Sequence, residues 1–426
     1  MDTERELLAI LQRNVSLATG CTEPLAVAYN AARAKNLLTT GLETISRVEL
    51  WLDPQIYRNG TYVCIPGVRE RGLDFAAALG LAGGKAELGL QAISRLTERE
   101  IGAARDLIER GLISLHIKEQ MTDLYIELRV VTASGTIQAI TVKEHDNVVA
   151  VNTGPWISYE ADQAKSPLQQ EISHYTLPDF IHFATTVPLT DIIFLQEGLT
   201  INRRIAREGL ERQDGLSSKI DSLIQGRIVG DCLSTYAQEL CAAASEMRMR
   251  GSLLPVMTCA GSGNQGITVF LTLEAAHQRL GFDTEKMLRS LALACLLTVY
   301  IKARIGVLSA MCGCGVAAGI GASAAIVYAM DGNDEQILGA AKNMVGSISG
   351  MVCDGAKEGC AFKLALAAGW AVQAAFLSLN GAVVQEKNGI VANDFQALIE
   401  NLGYICNPGM TSTSLAIFKV MKGANL

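Results

Sequence analysis

The chain has few aromatic residues, 5% of its 426, and few charged ones, 19%. Small and apolar side chains take their place: hydrophobic residues make up 49%, alanine is abundant, and there are 40 glycines. That balance excludes a disordered chain and suits helices packed closely through small residues. A basic excess is missing too. With a net charge of −7 and no long block of like charges, a nucleic-acid partner is not expected. The N-terminal MDTERELLAILQRN lacks the basic start and apolar core of a secretory signal. A cytoplasmic protein is therefore expected, and its 11 cysteines read as reduced thiols or metal ligands, not as a disulfide framework.

One uncharged run, Ile305 to Met330, is long enough to span a bilayer. Its glycines, cysteines and serines dilute it, so a buried helical hairpin or broken helix is expected and no membrane partner.

Periodicity divides the chain. Thr3 and Glu6 resemble a capping box, with Leu7, Leu8, Leu11 and Val15 following at helical spacing. Gly20 to Pro24 reads as a turn, and Leu25 to Leu38 as a second helix. From Ser46 the period falls to two. Strands are expected at Val48 to Leu52, within Arg58 to Gly67, at Ile113 to Lys118, Leu124 to Thr132 and Thr136 to Val142, and at His145 to Asn152. Beyond Asp191 the stretches Asp231 to Met249, Leu288 to Ile301 and Ala361 to Leu379 read as helices. The expected fold is α+β: a small α/β domain over residues 45–155, a large all-helical domain over 160–426, and N-terminal helices, residues 1–44, packing with the helical domain.

Four segments carry chemistry. In MVCDGAKEGC, Cys353 and Cys360 flank Asp354, Gly355 and Gly359; two thiols so spaced converge on a metal centre if the backbone loops, and otherwise are small core residues. In SAMCGCG, Cys312 and Cys314 would point to opposite faces of a helix, one binding metal while the other packs. In GCTEP, Cys21 precedes a helix N-terminus, where the macrodipole favours a reactive thiolate. In TCAGSGNQG, backbone and amide donors could hold a carboxylate. The last segment lacks the Walker lysine and the dinucleotide fingerprint, so a nucleotide loop is not expected.

Together with RNGTYVCIPG, and in this order along nearly the whole chain, these segments resemble the L-cysteine desulfidase family, which is related to the iron–sulfur L-serine dehydratase α-chain. The resemblance implies a 4Fe–4S cluster held by Cys353, Cys360 and Cys312, with Cys314 as the rival third ligand, in the helical domain. It implies substrate-carboxylate contacts at Ser262, Asn264 and Gln265. Cys21 would take the Cα proton, giving pyruvate, ammonia and sulfide from L-cysteine. The partner is then a small amino acid, with a homodimer left open as the assembly.

Two features depart from the dehydratases. The sequence ends MKGANL without a tail cysteine, Cys406 being the nearest, and residues 45–155 show no clear counterpart of the dehydratase regulatory domain. L-serine dehydration and a non-catalytic iron–sulfur redox sensor are the rival functions. No lysine stands in an obvious pyridoxal-phosphate setting, and His145 reads as a surface or strand-end residue.

Overall fold

The computed structural model describes residues 3–423 apart from 69, 122, 160–170, 307 and 308. Short strands β1 (Leu17–Ala18) and β7 (Val256–Met257) pair antiparallel. The remaining strands form one five-stranded sheet: β2 (Ile45–Leu52), β3 (Ile113–Ile117), β4 (Tyr125–Thr132), β5 (Gly135–Val142) and β6 (Val148–Thr153), in the order β3-β2-β4-β5-β6. Only β2 and β3 run parallel, and helices fill the crossover between them.

Alternation explains the main sheet. Val48, Leu50 and Leu52 turn one face of β2 into a core shared with the helices Thr22–Lys35, Leu73–Gly83 and Glu98–Glu109. A second and larger core belongs to the helices that follow residue 171, centred on Thr284–Ile305. Small residues let those helices approach closely. A Cβ on Gly321 would lie 2.6 Å from the Ala294 carbonyl oxygen, so Val316–Ala329 packs backbone to backbone on Thr284–Ile305. The uncharged run after Ile305 is accordingly broken: one helix ends at Ile305 and the next, Val316–Ala329, is buried throughout. Among the described residues one helix, Cys360–Leu379, is long and apolar enough to cross a membrane, and most of it is buried in the protein.

The expected strands fall where alternation placed them, with two corrections. The segment read as turn and strand from Arg58 begins inside a short helix, Pro54–Gly60, because Asp53 caps it and Pro54 fills its first turn. His145 lies in the turn between β5 and β6, not on a strand. The N-terminal helices also part company. Thr3–Asn14 joins the large helical core, whereas the alanine-rich Thr22–Lys35 packs on the sheet and on Leu73–Gly83. Cys21 sits at the crossing between the two cores.

Asp53 is fully buried and ties helix to sheet: its carboxylate accepts from the backbone N–H of Gln55 at 2.7 Å, Ile56 at 3.1 Å and Tyr125 at 2.8 Å. Asp53→Ala removes the cap and orphans the Tyr125 N–H, so a loss of about 2–4 kcal/mol is expected in urea unfolding. A loss under about 1 kcal/mol would show that water takes over these donors.

Candidate active site

Where the two cores meet, a cavity of about 150 Å³ is lined by residues from widely separated parts of the chain. One wall is made of cysteine. The backbone of Ala310–Cys312 pairs with that of Met351–Cys353: Cys312 N–H donates to the Met351 carbonyl at 2.8 Å and Cys353 N–H to that of Ala310 at 2.7 Å. That pairing brings the two cysteine segments side by side. Cys360 opens the helix Cys360–Leu379, and Cys314 follows in the turn before Val316–Ala329. All four thiols line the cavity.

The opposite-faces expectation for Cys312 and Cys314 is therefore corrected. Residues 312–315 form a turn and not a helix, so both side chains face the same space. The Cys314 thiol donates to Cys312, and this, with backbone donation from Gly315 and the charge of Lys363, overcomes burial and draws the Cys312 thiol down to about 6. Burial, with the neighbouring cysteines, pushes Cys360 up to about 11.

Gly355 holds the loop between Cys353 and Cys360. Its φ of +97° suits glycine, and a Cβ there would lie 2.1 Å from the Arg58 carbonyl oxygen. Arg58 is itself buried, donating to the Ser309 carbonyl at 2.9 Å and to Ser414 Oγ at 3.0 Å. The RNG segment thus fastens both cysteine loops and the C-terminal helix Thr411–Met421 together. Asp354 pairs with Lys363 and Lys357 at the rim.

Cys21, Glu23, Asn59 and His145 line the cavity as well, and Cys360 packs against the small cluster that holds Cys21. Cys21 Sγ donates to Glu23 Oε2 at 2.8 Å, and Asn59 Nδ2 donates to Glu23 Oε1 at 2.9 Å. The thiolate expected from the helix dipole is not what this geometry favours. Burial and the adjacent Glu23 carboxylate raise the Cys21 thiol well above its ordinary 9.0. Burial alone would raise Glu23 as well, but His145 and the Cys21 and Asn59 hydrogen bonds outweigh it and hold the carboxyl below 4.5. The pair therefore rests as thiol and carboxylate.

The TCAGSGNQG turn contributes too, with Ser262, Asn264 and Gln265 all lining the cavity. Asn264 is partly engaged: Arg248 Nη1 donates to its Oδ1 at 3.0 Å while Arg248 Nη2 donates to the Gly20 carbonyl at 2.6 Å. Arg248 thereby locks the Cys21 turn to the Asn264 turn. Gln265 Oε1, Arg248 Nε and His145 Nε2 are buried without a hydrogen-bond partner. Ser262 Oγ lies 3.9 Å from Cys314 Sγ.

Every candidate residue from the sequence thus borders one cavity, and several that sequence reasoning passed over border it too. Glu23 stands inside GCTEP, two residues from the chosen cysteine. Arg248 and Lys302 are charges embedded in apolar helical runs, a signal that was available. His145 had been set aside as a surface or strand-end residue; its turn instead folds over the cavity.

The donor set suits a multi-iron cluster. Among the described residues no three of His, Cys, Asp and Glu close on one point as the ligands of a single metal ion do. Four thiols instead border one space beside a glycine-bearing loop, enough for the three thiolate ligands of a multi-iron cluster.

Residues 85–419 match the family model described as serine dehydratase alpha chain. Relatives are similar along their whole length: a UPF0597 protein of Clostridium tetani is 39% identical over 432 residues, covering 99% of each chain. Another, of Caldanaerobacter subterraneus, is 38% identical over 419 residues and covers 97% of each. A third, of Clostridioides difficile, is 36% identical over 429 residues, covering 98% of this chain and 99% of the relative.

Proposed function

Because the chain belongs to the serine dehydratase alpha chain family, we propose that it is a cytoplasmic iron–sulfur lyase that converts L-cysteine to pyruvate, ammonia and sulfide. The observation that carries this reading is that four thiols and a thiol–carboxylate pair line one small cavity. Cys312, Cys353 and Cys360 would hold a 4Fe–4S cluster, with Cys314 as the alternative to Cys312. Such a cluster supplies Lewis acidity toward a leaving group, and soft, sulfur-ligated iron favours a thiolate over a hydroxyl.

The remaining work falls to the protein's own groups. The substrate Cα–H bond breaks as Cys21 Sγ takes the proton, while the proton already on Cys21 passes to Glu23 Oε2, its hydrogen-bond acceptor at 2.8 Å. Asn59 holds Glu23 in position for that transfer. The electron pair left on Cα forms the Cα–Cβ double bond as the Cβ–S bond breaks, so the products are aminoacrylate and sulfide. Water then hydrolyses the aminoacrylate. Ser262 and Gln265 offer donors to the substrate carboxylate, and Arg248 keeps their turn in register with Cys21.

The family model itself favours a second reading, L-serine dehydration by the same steps with water as the leaving group. Anaerobically reconstituted protein offered each amino acid separates the two. The expected result is sulfide release from L-cysteine with kcat/KM at least roughly 100-fold above that for L-serine, from the softness of the leaving atom. Preference for serine would establish the dehydratase. Turnover of neither, with the visible spectrum unmoved by substrate, would establish a redox sensor.

A further inference from the structure

Lys302 lies in the last turn of the helix Thr284–Ile305 and is only 7% exposed. It lines the cavity, and among the described residues no carboxylate pairs with it. Of the other cations there, Lys363 is paired with Asp354, while Arg248 gives both terminal nitrogens to the neutral oxygens of Asn264 and Gly20.

The groups facing Lys302 are Cys314, Cys406, Cys353 and Cys312. Cys406 donates to the Ile305 carbonyl at 3.3 Å. A thiolate-ligated iron–sulfur cluster would remain a net anion, offsetting part of the Lys302 charge but spreading it over many atoms. Among the described residues no oxygen acceptor meets the buried ammonium, and a carboxylate oxygen in the cavity would supply one.

Gly313 marks where. A Cβ on it would lie 3.0 Å from Gln265 Nε2 and 3.3 Å from Lys302 Nζ, so the two donors come together against its backbone at the cavity wall. Gln265 is itself 2% exposed.

Resting on the lyase reading above, we propose that Lys302, seconded by the Gln265 amide, anchors the substrate carboxylate and so restricts the enzyme to amino acids over simple thiols. The ammonium and the amide give one carboxylate oxygen a charged and a neutral donor. The same carboxylate sets the direction in which Cα is presented to Cys21, which lines the same cavity.

The test compares anaerobically reconstituted wild type with Lys302→Met and Lys302→Arg. Iron and labile sulfide are counted first. Binding of 3-mercaptopropionate, a thiol with a carboxylate, and of cysteamine, a thiol without one, is then followed by the cluster's visible absorbance. Lys302→Met is expected to retain its iron and to bind 3-mercaptopropionate roughly 10- to 100-fold more weakly, as loss of one charge-assisted hydrogen bond implies. Its cysteamine affinity should stay within about 3-fold of wild type, well inside the spread of one such bond. KM for L-cysteine should rise with the first number, and Lys302→Arg should recover part of it.

Equal weakening of both thiols, or loss of iron from both variants, overturns the assignment and makes Lys302 a counter-charge of the cluster. A wild-type protein that takes up no iron, or releases no sulfide from L-cysteine, overturns the lyase reading and this one with it.

Discussion

Cys353→Ala is expected to abolish both the visible absorbance of the anaerobically reconstituted protein and the release of sulfide, while leaving the fold in place. The side chain is partly exposed at the cavity wall, and its backbone N–H still donates to Ala310 in the variant. The stability cost should stay below about 1 kcal/mol, since no packed volume is opened in either core. Removing one of three ligands, by contrast, leaves an iron without its anchor.

Cys360→Ala should behave alike. The neighbouring pair then divides: Cys312→Ala should lose the colour and Cys314→Ala keep it, because Cys312 is the one whose backbone is hydrogen-bonded directly to the Cys353 segment, at Met351. Colour lost from Cys314→Ala and kept by Cys312→Ala would exchange the two roles. Iron uptake should also rise with pH, because Cys360 must give up a proton that burial makes it hold to about 11.

The second large effect is at Glu23. Glu23→Gln retains the shape of the side chain but leaves Cys21 nowhere to pass its proton. We expect kcat for L-cysteine to fall roughly 10²- to 10⁴-fold with iron content unchanged, the usual range for losing a proton-transfer group. Cys21→Ala should cost as much, and the double variant little more, because the two groups act as one.

The pH profile offers an independent check. Glu23 titrates below 4.5 and Cys21 well above 9.0, so the pair carries one proton throughout the neutral range. It should add no limb to kcat/KM between roughly pH 5 and 9. A Glu23→Gln enzyme with wild-type kcat would mean that Cys21 gives its proton elsewhere, and the partly buried His145 would be the group to examine.

Much of this was legible from local pattern. Alternation of Val48, Leu50 and Leu52 located a strand because a half-buried sheet repeats every two residues, and that holds whatever the rest of the chain does. The run Ile305 to Met330 declared itself buried and broken through its glycines. The site cysteines were found because a thiol in a glycine-rich segment is chemically conspicuous.

Other features depended on distant partners. A helical Cys312-Gly-Cys314 would have split its thiols; the turn that unites them exists because Ala310–Cys312 pairs with Met351–Cys353, about forty residues away in the chain. The Cys21 thiol follows its burial and the Glu23 carboxylate more than the helix dipole, and burial is a property of the assembled cavity. His145 looked like a strand end because nothing near it in sequence says that its turn closes over Glu23. Arg248 and Lys302 became intelligible once the cavity they line was assembled.

The most direct measurement is iron and acid-labile sulfide per chain in protein purified and reconstituted without oxygen, repeated on Cys353→Ala. About four of each in the wild type and close to none in the variant is the expected result for a single 4Fe–4S cluster. A colourless wild type, free of iron and yet fully active on L-cysteine, would contradict it.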